Sequence, residues 1–250
     1  MYTRLKVLNT LTLIFMLVMN WLANALPLGG KDTGELSENY PNLFVPAGFT
    51  FAIWGIIFLL LITFVVWQWL GDSDEVVEKV GPWFAVNTIA NGSWILVWHN
   101  ELVLASVAVM LILLTTLILI YNKIVKAYPP ISFISKVPIS VYLGWISVAT
   151  IANFTTLLVD NGITELGLGA ANWAAIMLII AGVLAMYMVW SRKDIFFAAV
   201  VLWASYGAYS KRIADTSSQD QIVELTAQAN MAMMIIVIVA GLVLILKKRV

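Results

Sequence analysis

The stretch Pro138-Ile-Ser-Val-Tyr-Leu-Gly-Trp-Ile-Ser-Val-Ala-Thr-Ile-Ala-Asn153 decides how the chain is read. It is apolar enough to cross a bilayer, yet it carries Pro, Gly, Trp, Tyr and Asn where Leu and Val would cross at lower cost. Placed on a helix, Tyr142, Trp145, Ala149 and Asn153 fall at i, i+3, i+7 and i+11, on one stripe. A carboxamide turned toward hydrocarbon would leave its polar groups unpaired, at a cost of several kcal/mol. The stripe is therefore expected to face protein or an internal cavity.

The rest of the chain sets the same scene. Of 250 residues, 62% are hydrophobic and 11% charged, where soluble domains are about 45–50% apolar and about 25% charged. Mean hydropathy is +0.93. These values place the chain among integral membrane proteins. The formal net charge of zero offers no basic field for nucleic acid. The absence of cysteine excludes disulfides, thiolate metal sites and Cys nucleophiles, and a single His excludes a multi-His metal centre. Eleven Trp are more than membrane anchoring requires.

A hydrocarbon core of roughly 30 Å takes about 20 apolar residues per helix. Eight segments meet this reading: Leu5–Leu26, Ala47–Leu70, Pro82–Trp98, Leu102–Val125, Val137–Val159, Ala171–Trp190, Ile195–Tyr209 and Ile222–Leu246. The third and seventh are the shortest. His99-Asn100-Glu101 has to be a tight turn, because 82–125 is too long for one span. The fold expected is an all-α polytopic membrane bundle of about eight transmembrane helices. The N-terminus resembles a secretory leader ending near Ala23-Asn24-Ala25, but its apolar run exceeds the usual ~7–15 residues, so it reads as a retained span.

Basic residues set orientation. Arg4 and Lys6, then Lys123, Lys126 and Lys136, then Arg192 and Lys193, then Lys247, Lys248 and Arg249 all fall on one side of an eight-span scheme. That side is expected to be cytoplasmic, in a cell membrane, with both termini inside. The acidic link Asp72–Glu78 falls on the same side. Lys211 and Arg212 fall on the other, against the rule. The connection Gly29–Pro41 is expected outside, with Lys31, Asp32, Glu35 and Glu38 solvated.

Further polar faces appear inside the spans. Asn87, Asn91, Trp94 and Trp98 share a face of the third, and Thr50, Trp54 and Ile57 share one in the second. Two readings stand side by side. Asn in a membrane helix can simply bond a neighbouring helix, contributing about 0.6–2 kcal/mol. Deep Trp beside Asn on two helices also has the make-up of an aromatic-walled pocket with a few polar anchors. Trp21, Trp67, Trp69, Trp83, Trp173 and Trp190, at span ends, read as an interfacial belt, whereas Trp54, Trp145 and Trp203 sit deep. Gly55 and Gly144, beside deep Trp, are expected to permit close helix approach, and Pro46, Pro82 and Pro138 to open their helices. His99, Glu101, Asp194 and Glu224 read as solvated groups at span ends. No span carries a carboxylate near its middle, which argues against an ion-coupled pump, and nothing supplies general acid–base machinery.

At these residues the sequence resembles the TspO/MBR family, the tryptophan-rich sensory proteins that include the mitochondrial translocator protein. Three segments carry the likeness: Pro46-Ala-Gly-Phe-Thr-Phe-Ala-Ile-Trp54-Gly-Ile-Ile-Phe58, Asn91-Gly-Ser-Trp94, and Tyr142-Leu-Gly-Trp145 running on to Ala149 and Asn153. Ala47 stands where the family commonly repeats Pro, and Phe154 departs from the pattern used to argue sterol binding. The resemblance covers residues 1–161 as a five-helix core and leaves 162–250 as a further three-helix segment without an assigned role. It implies a hydrophobic small-molecule ligand, foremost a porphyrin-type tetrapyrrole, with no resident cofactor required, and it implies homodimers in the lipid bilayer. Trp54, Asn91, Trp145 and Ala149 match the family's pocket positions; Tyr142 and Asn153 match motif positions.

The expected function is thus binding of a flat hydrophobic ligand for sensing or transport. Trp54, Trp94 and Trp145 would stack on its face, and Asn91 and Asn87 would bond its polar edge. Two alternatives remain open: a membrane enzyme for light- or oxygen-dependent porphyrin breakdown, and an unrelated small-solute carrier. The carrier would require pseudo-symmetric halves and broken helices, for which the sequence gives no signal.

Overall fold

The computed structural model describes residues 2–25, 30–31, 33–40, 42–126, 133–163, 167–214 and 218–247, without the side chains of 218–220 and 247. Asp32, Lys248 and Arg249, invoked above for surface and orientation, lie outside the described residues. Among these, every regular element is helical: α1 Tyr2–Ala25, α2 Thr33–Glu38, α3 Ile53–Leu70, α4 Asp74–Val80, α5 Trp83–His99, α6 Val103–Val125, α7 Phe133–Asp160, α8 Ala170–Arg192, α9 Ile195–Ile213 and α10 Ser218–Lys247. A 3₁₀ turn, Gly48–Ala52, leads into α3. Each of the eight expected segments is helical over nearly all of its described residues.

Six of them are long and apolar enough to cross a membrane: α1, α3 with its leading turn, α6, α7, α8 and most of α10. The protein is a multi-pass membrane protein. The two remaining are the third and seventh segments. Helix α5 has 17 residues, about 26 Å at 1.5 Å per residue, and α9 carries Lys211 and Arg212 in its last turn. Large apolar side chains point outward without cover, among them Leu11, Leu59, Leu104 and Ile236, each at least 60% exposed. In water such a surface would drive aggregation; against acyl chains it is at home.

The chain forms two compact units, Met1–Leu36 with Ala52–Ile146, and Ser37–Phe51 with Ser147–Val250. In the first, α1 packs on α3, α4 and α5, and α6 packs on α4 and α5. Met16, Ile57, Phe64, Leu117 and Ile120 are fully buried there. In the second, α8, α9 and α10 pack on one another around Ala185, Ala198, Val223, Ala227 and Met234.

Helix α7 answers the question raised by its sequence. Every residue from Val137 to Val148 is buried, so this run presents no side to lipid. A helix buried all round belongs to an interior, and polar and aromatic side chains can be satisfied there. Pro138 lies inside α7 rather than opening it, because the helix begins earlier, at Phe133.

Other expectations are corrected. Asp194 is not solvated: it is fully buried, and its carboxylate accepts the Phe196 and Phe197 N–H groups at 3.2 Å as the N-cap of α9. Such a cap satisfies donors that the first helical turn cannot. His99 is buried too, with Nε2 3.3 Å from the Thr33 hydroxyl, while Glu101 stays exposed in the tight turn between α5 and α6. Gly55 faces open space; close approach falls instead at Gly92 against Phe15, Gly182 against Asn230, and Gly207 against Thr50 and Pro46. In the connection after α1, Lys31, Glu35 and Glu38 are exposed as expected, but Leu36 and Tyr40 are buried.

Candidate ligand-binding site

Helices α3 and α7 bring three of the predicted aromatic residues together in the first unit. The Trp54 ring meets Tyr142 edge-on at 5.9 Å and Trp145 at 6.4 Å between centroids. Phe58, one turn along α3, stacks on Trp54 at 5.5 Å. Tyr142 and Trp145 are three residues apart, so one face of α7 presents both rings to one indole. Tyr142 is 1% and Trp145 3% exposed, whereas Trp54 is half-buried. Each such pair contributes about 0.5–1.5 kcal/mol beyond its buried area.

A chain of hydrogen bonds runs into this cluster from α1. The Asn20 amide nitrogen donates to the Met16 carbonyl at 2.9 Å and to Asn91 Oδ1 at 2.8 Å. Asn91 Nδ2 donates in turn to the Tyr142 hydroxyl oxygen at 2.8 Å. Asn20 and Asn91 are 6% and 2% exposed. Asn91 therefore couples three helices and is already engaged at both ends of its amide. Asn87 is engaged as well, donating to the Leu113 carbonyl at 3.1 Å and to the Thr116 hydroxyl at 2.8 Å on α6. Of the two readings of these Asn residues, bonding between helices describes what both do in this conformation.

Trp94 and Trp98 stack at 5.3 Å with planes 12° apart. Trp98 Nε1 donates to the Thr33 carbonyl at 3.3 Å, while the buried Trp94 Nε1 has no hydrogen-bond partner among the described residues. Ala149 and Asn153 lie on the part of α7 that belongs to the second unit; Ala149 is half-buried and Asn153 buried. Six of the eight predicted residues thus fall in the first unit. Trp54, Tyr142, Trp145 and Asn91 form one contiguous group, and Asn87 and Trp94 sit one turn to either side of Asn91 on α5.

Sequence reasoning missed Asn20. Its signal was present: Asn9, Thr12, Leu13, Met16, Asn20 and Ala23 are the buried residues of α1, a stripe spaced like those of α5 and α7. It also gave Trp203 no partner. In the second unit the Trp203 indole donates to the Thr50 carbonyl at 2.9 Å, and its ring joins Phe49 and Tyr206 at 5.6 and 6.1 Å. A narrow cleft there, lined by Phe44, Pro46, Leu178, Ala181 and Ser205 among others, holds about 10 Å³, room for one water. None of the eight predicted residues lines it.

The fold and this group define a polytopic helical membrane protein whose interior carries an aromatic cluster joined to a carboxamide chain. The chain matches the family of TSPO-like proteins over residues 6–242 and belongs to that family. The match runs through α8 and α9 and into α10. No curated protein and no solved structure matches the chain.

Proposed function

We propose that the protein binds a flat hydrophobic ligand, foremost a porphyrin-type tetrapyrrole, and serves in sensing or transport. The observation that carries this reading is the meeting of Trp54, Tyr142 and Trp145 beside Asn91, inside a member of the TSPO-like family. Indole and phenol rings supply polarisable faces for a conjugated macrocycle, and the carboxamide chain gives the site a polar edge. The rings touch one another in this conformation, so ligand entry requires them to part. That coupling of occupancy to side-chain and helix movement is what a sensor or a carrier needs.

Tryptophan fluorescence during titration with protoporphyrin IX tests the reading. The wild-type protein is expected to show saturable quenching, and Trp145→Ala to weaken binding about tenfold or more, as loss of an aromatic anchor does. Unchanged affinity in Trp145→Ala would remove the aromatic cluster from the site. Illumination of the complex separates binding from the enzymatic alternative: intact porphyrin after illumination leaves a binder, and a converted pigment makes the protein an enzyme.

We further propose that the protein lies in a cell membrane with both termini cytoplasmic. Lys6 pairs with Asp74 at 2.7 Å, and the Tyr2 hydroxyl donates to Glu78 at 3.1 Å, so the basic N-terminus and the acidic 72–78 link share one end of the first unit, which supports putting both on the same side.

A further inference from the structure

The direction of the hydrogen-bond chain determines what its last member can still do. A backbone carbonyl only accepts, so the Met16 oxygen fixes the Asn20 group facing it as the amide nitrogen. The same nitrogen donates to Asn91, which must present Oδ1 to Asn20 and its own nitrogen to Tyr142. Turning either carboxamide over would break the bond to Met16 or set two like groups against each other. The Tyr142 oxygen is thereby an acceptor in this chain, and its own O–H remains a donor with no acceptor among the described residues. The residue is 1% exposed, so water does not readily fill that role. One turn beyond Asn91 on α5, Trp94 Nε1–H is a second buried donor without a partner. Indole nitrogen can only donate. A buried donor left without an acceptor is costly, and two of them flanking Asn91, one bonded to it and one a helical turn along α5, point to a ligand that supplies acceptors.

We propose that Tyr142 and Trp94 are the specificity-determining residues of the site, and that they select flat ligands bearing a carboxylate or carbonyl oxygen. This rests on the proposed function and sharpens it. Polar recognition passes from Asn91 and Asn87, which hold helices together, to the two donors that the described residues leave unused. The chain Met16–Asn20–Asn91–Tyr142 polarises the phenol toward donation, because each bond strengthens the next. Ligands whose polar edge offers only donors find no acceptor there and lose the discrimination.

The test compares two porphyrins: protoporphyrin IX, with two carboxylates, and octaethylporphyrin, with the same macrocycle and no oxygen. The wild-type protein is expected to prefer protoporphyrin IX. Tyr142→Phe should weaken protoporphyrin IX binding about tenfold or more, the effect of a hydrogen bond to a charged group, and leave octaethylporphyrin unchanged. Trp94→Phe keeps an aromatic ring, removes the N–H together with the pyrrole part of the indole, and should weaken protoporphyrin IX more than octaethylporphyrin; that difference decides the matter if Tyr142→Phe does not fold. Equal losses for both porphyrins, or no loss for either, overturn the proposal while leaving the aromatic site standing. Failure of the wild-type protein to bind either porphyrin overturns both.

Discussion

Asn91 shows how one side chain can look like a ligand anchor and act as a structural joint. Its carboxamide bonds Asn20 on one side and Tyr142 on the other, in a setting where water cannot replace either partner. Asn91→Ala is therefore expected to lower stability by about 1–3 kcal/mol, the cost of leaving buried polar groups unmatched, measured as a lower denaturation midpoint in detergent. A joint confined to the surface would show no shift. Spacing identified Asn91 as buried and facing protein, but it could not tell which helix would come to meet it. The partner, Asn20, is 71 residues away. Asp194 teaches the same lesson from the opposite side. A carboxylate at the end of an apolar run reads as solvated, yet it is held inside by two N–H groups of the turn it caps. Asp194→Ala should cost about 0.5–2 kcal/mol, again as a lowered midpoint, whereas a solvated Asp194 would leave the midpoint in place.

At the scale of elements, the 3₁₀ turn and α9 form the best-defined joint of the second unit. Ala47 N–H donates to the Gly207 carbonyl at 3.0 Å, and the Trp203 indole donates to Thr50 at 2.9 Å. Pro46 and Thr50 lie where a Cβ on residue 207 would stand, so only glycine allows this approach. Gly207→Ala is expected to part the turn from α9 and speed amide hydrogen exchange over 47–51. Gly55→Ala, at a position facing open space, serves as the comparison and should leave exchange in that turn unchanged. Equal behaviour of the two variants would mean that the turn is held by something other than this close approach. The sequence singled out Gly55 for its neighbour Trp54. What matters is which glycine faces a neighbouring element, and that depends on helix rotation, which proximity to a Trp along the chain does not set.

For the whole molecule, the orientation scheme gives the clearest expectation. The chain has no cysteine, so single cysteines can be introduced without a background signal. Glu75→Cys, in the acidic link beside the N-terminus, should react with a membrane-impermeant maleimide only from the cytoplasmic face. Glu35→Cys, on the exposed side of α2, should react only from the opposite face. Labelling of both from one face would overturn the arrangement. Lys211, which broke the charge rule, lies 3.9 Å from Glu38. Within the second unit its charge therefore has an acidic neighbour in the very connection that the scheme places outside.

Composition and hydrophobic period by themselves determined that this is a helical membrane protein, where its long helices run, and which faces of α5 and α7 turn away from lipid. These follow from the local chemistry of each segment, because hydrocarbon penalises every unpaired polar group regardless of what lies further along the chain. Tertiary structure alone decided who meets whom: Trp54 with Tyr142 and Trp145, Asn20 with Asn91, Thr50 with Trp203. It also decided which polar groups were left over. Periodicity fixes the direction in which a side chain points from its own axis, whereas a hydrogen-bond partner depends on how two axes are rotated and shifted against each other. That mutual setting is chosen by the packing of many side chains at once, and no single stretch of the chain encodes it.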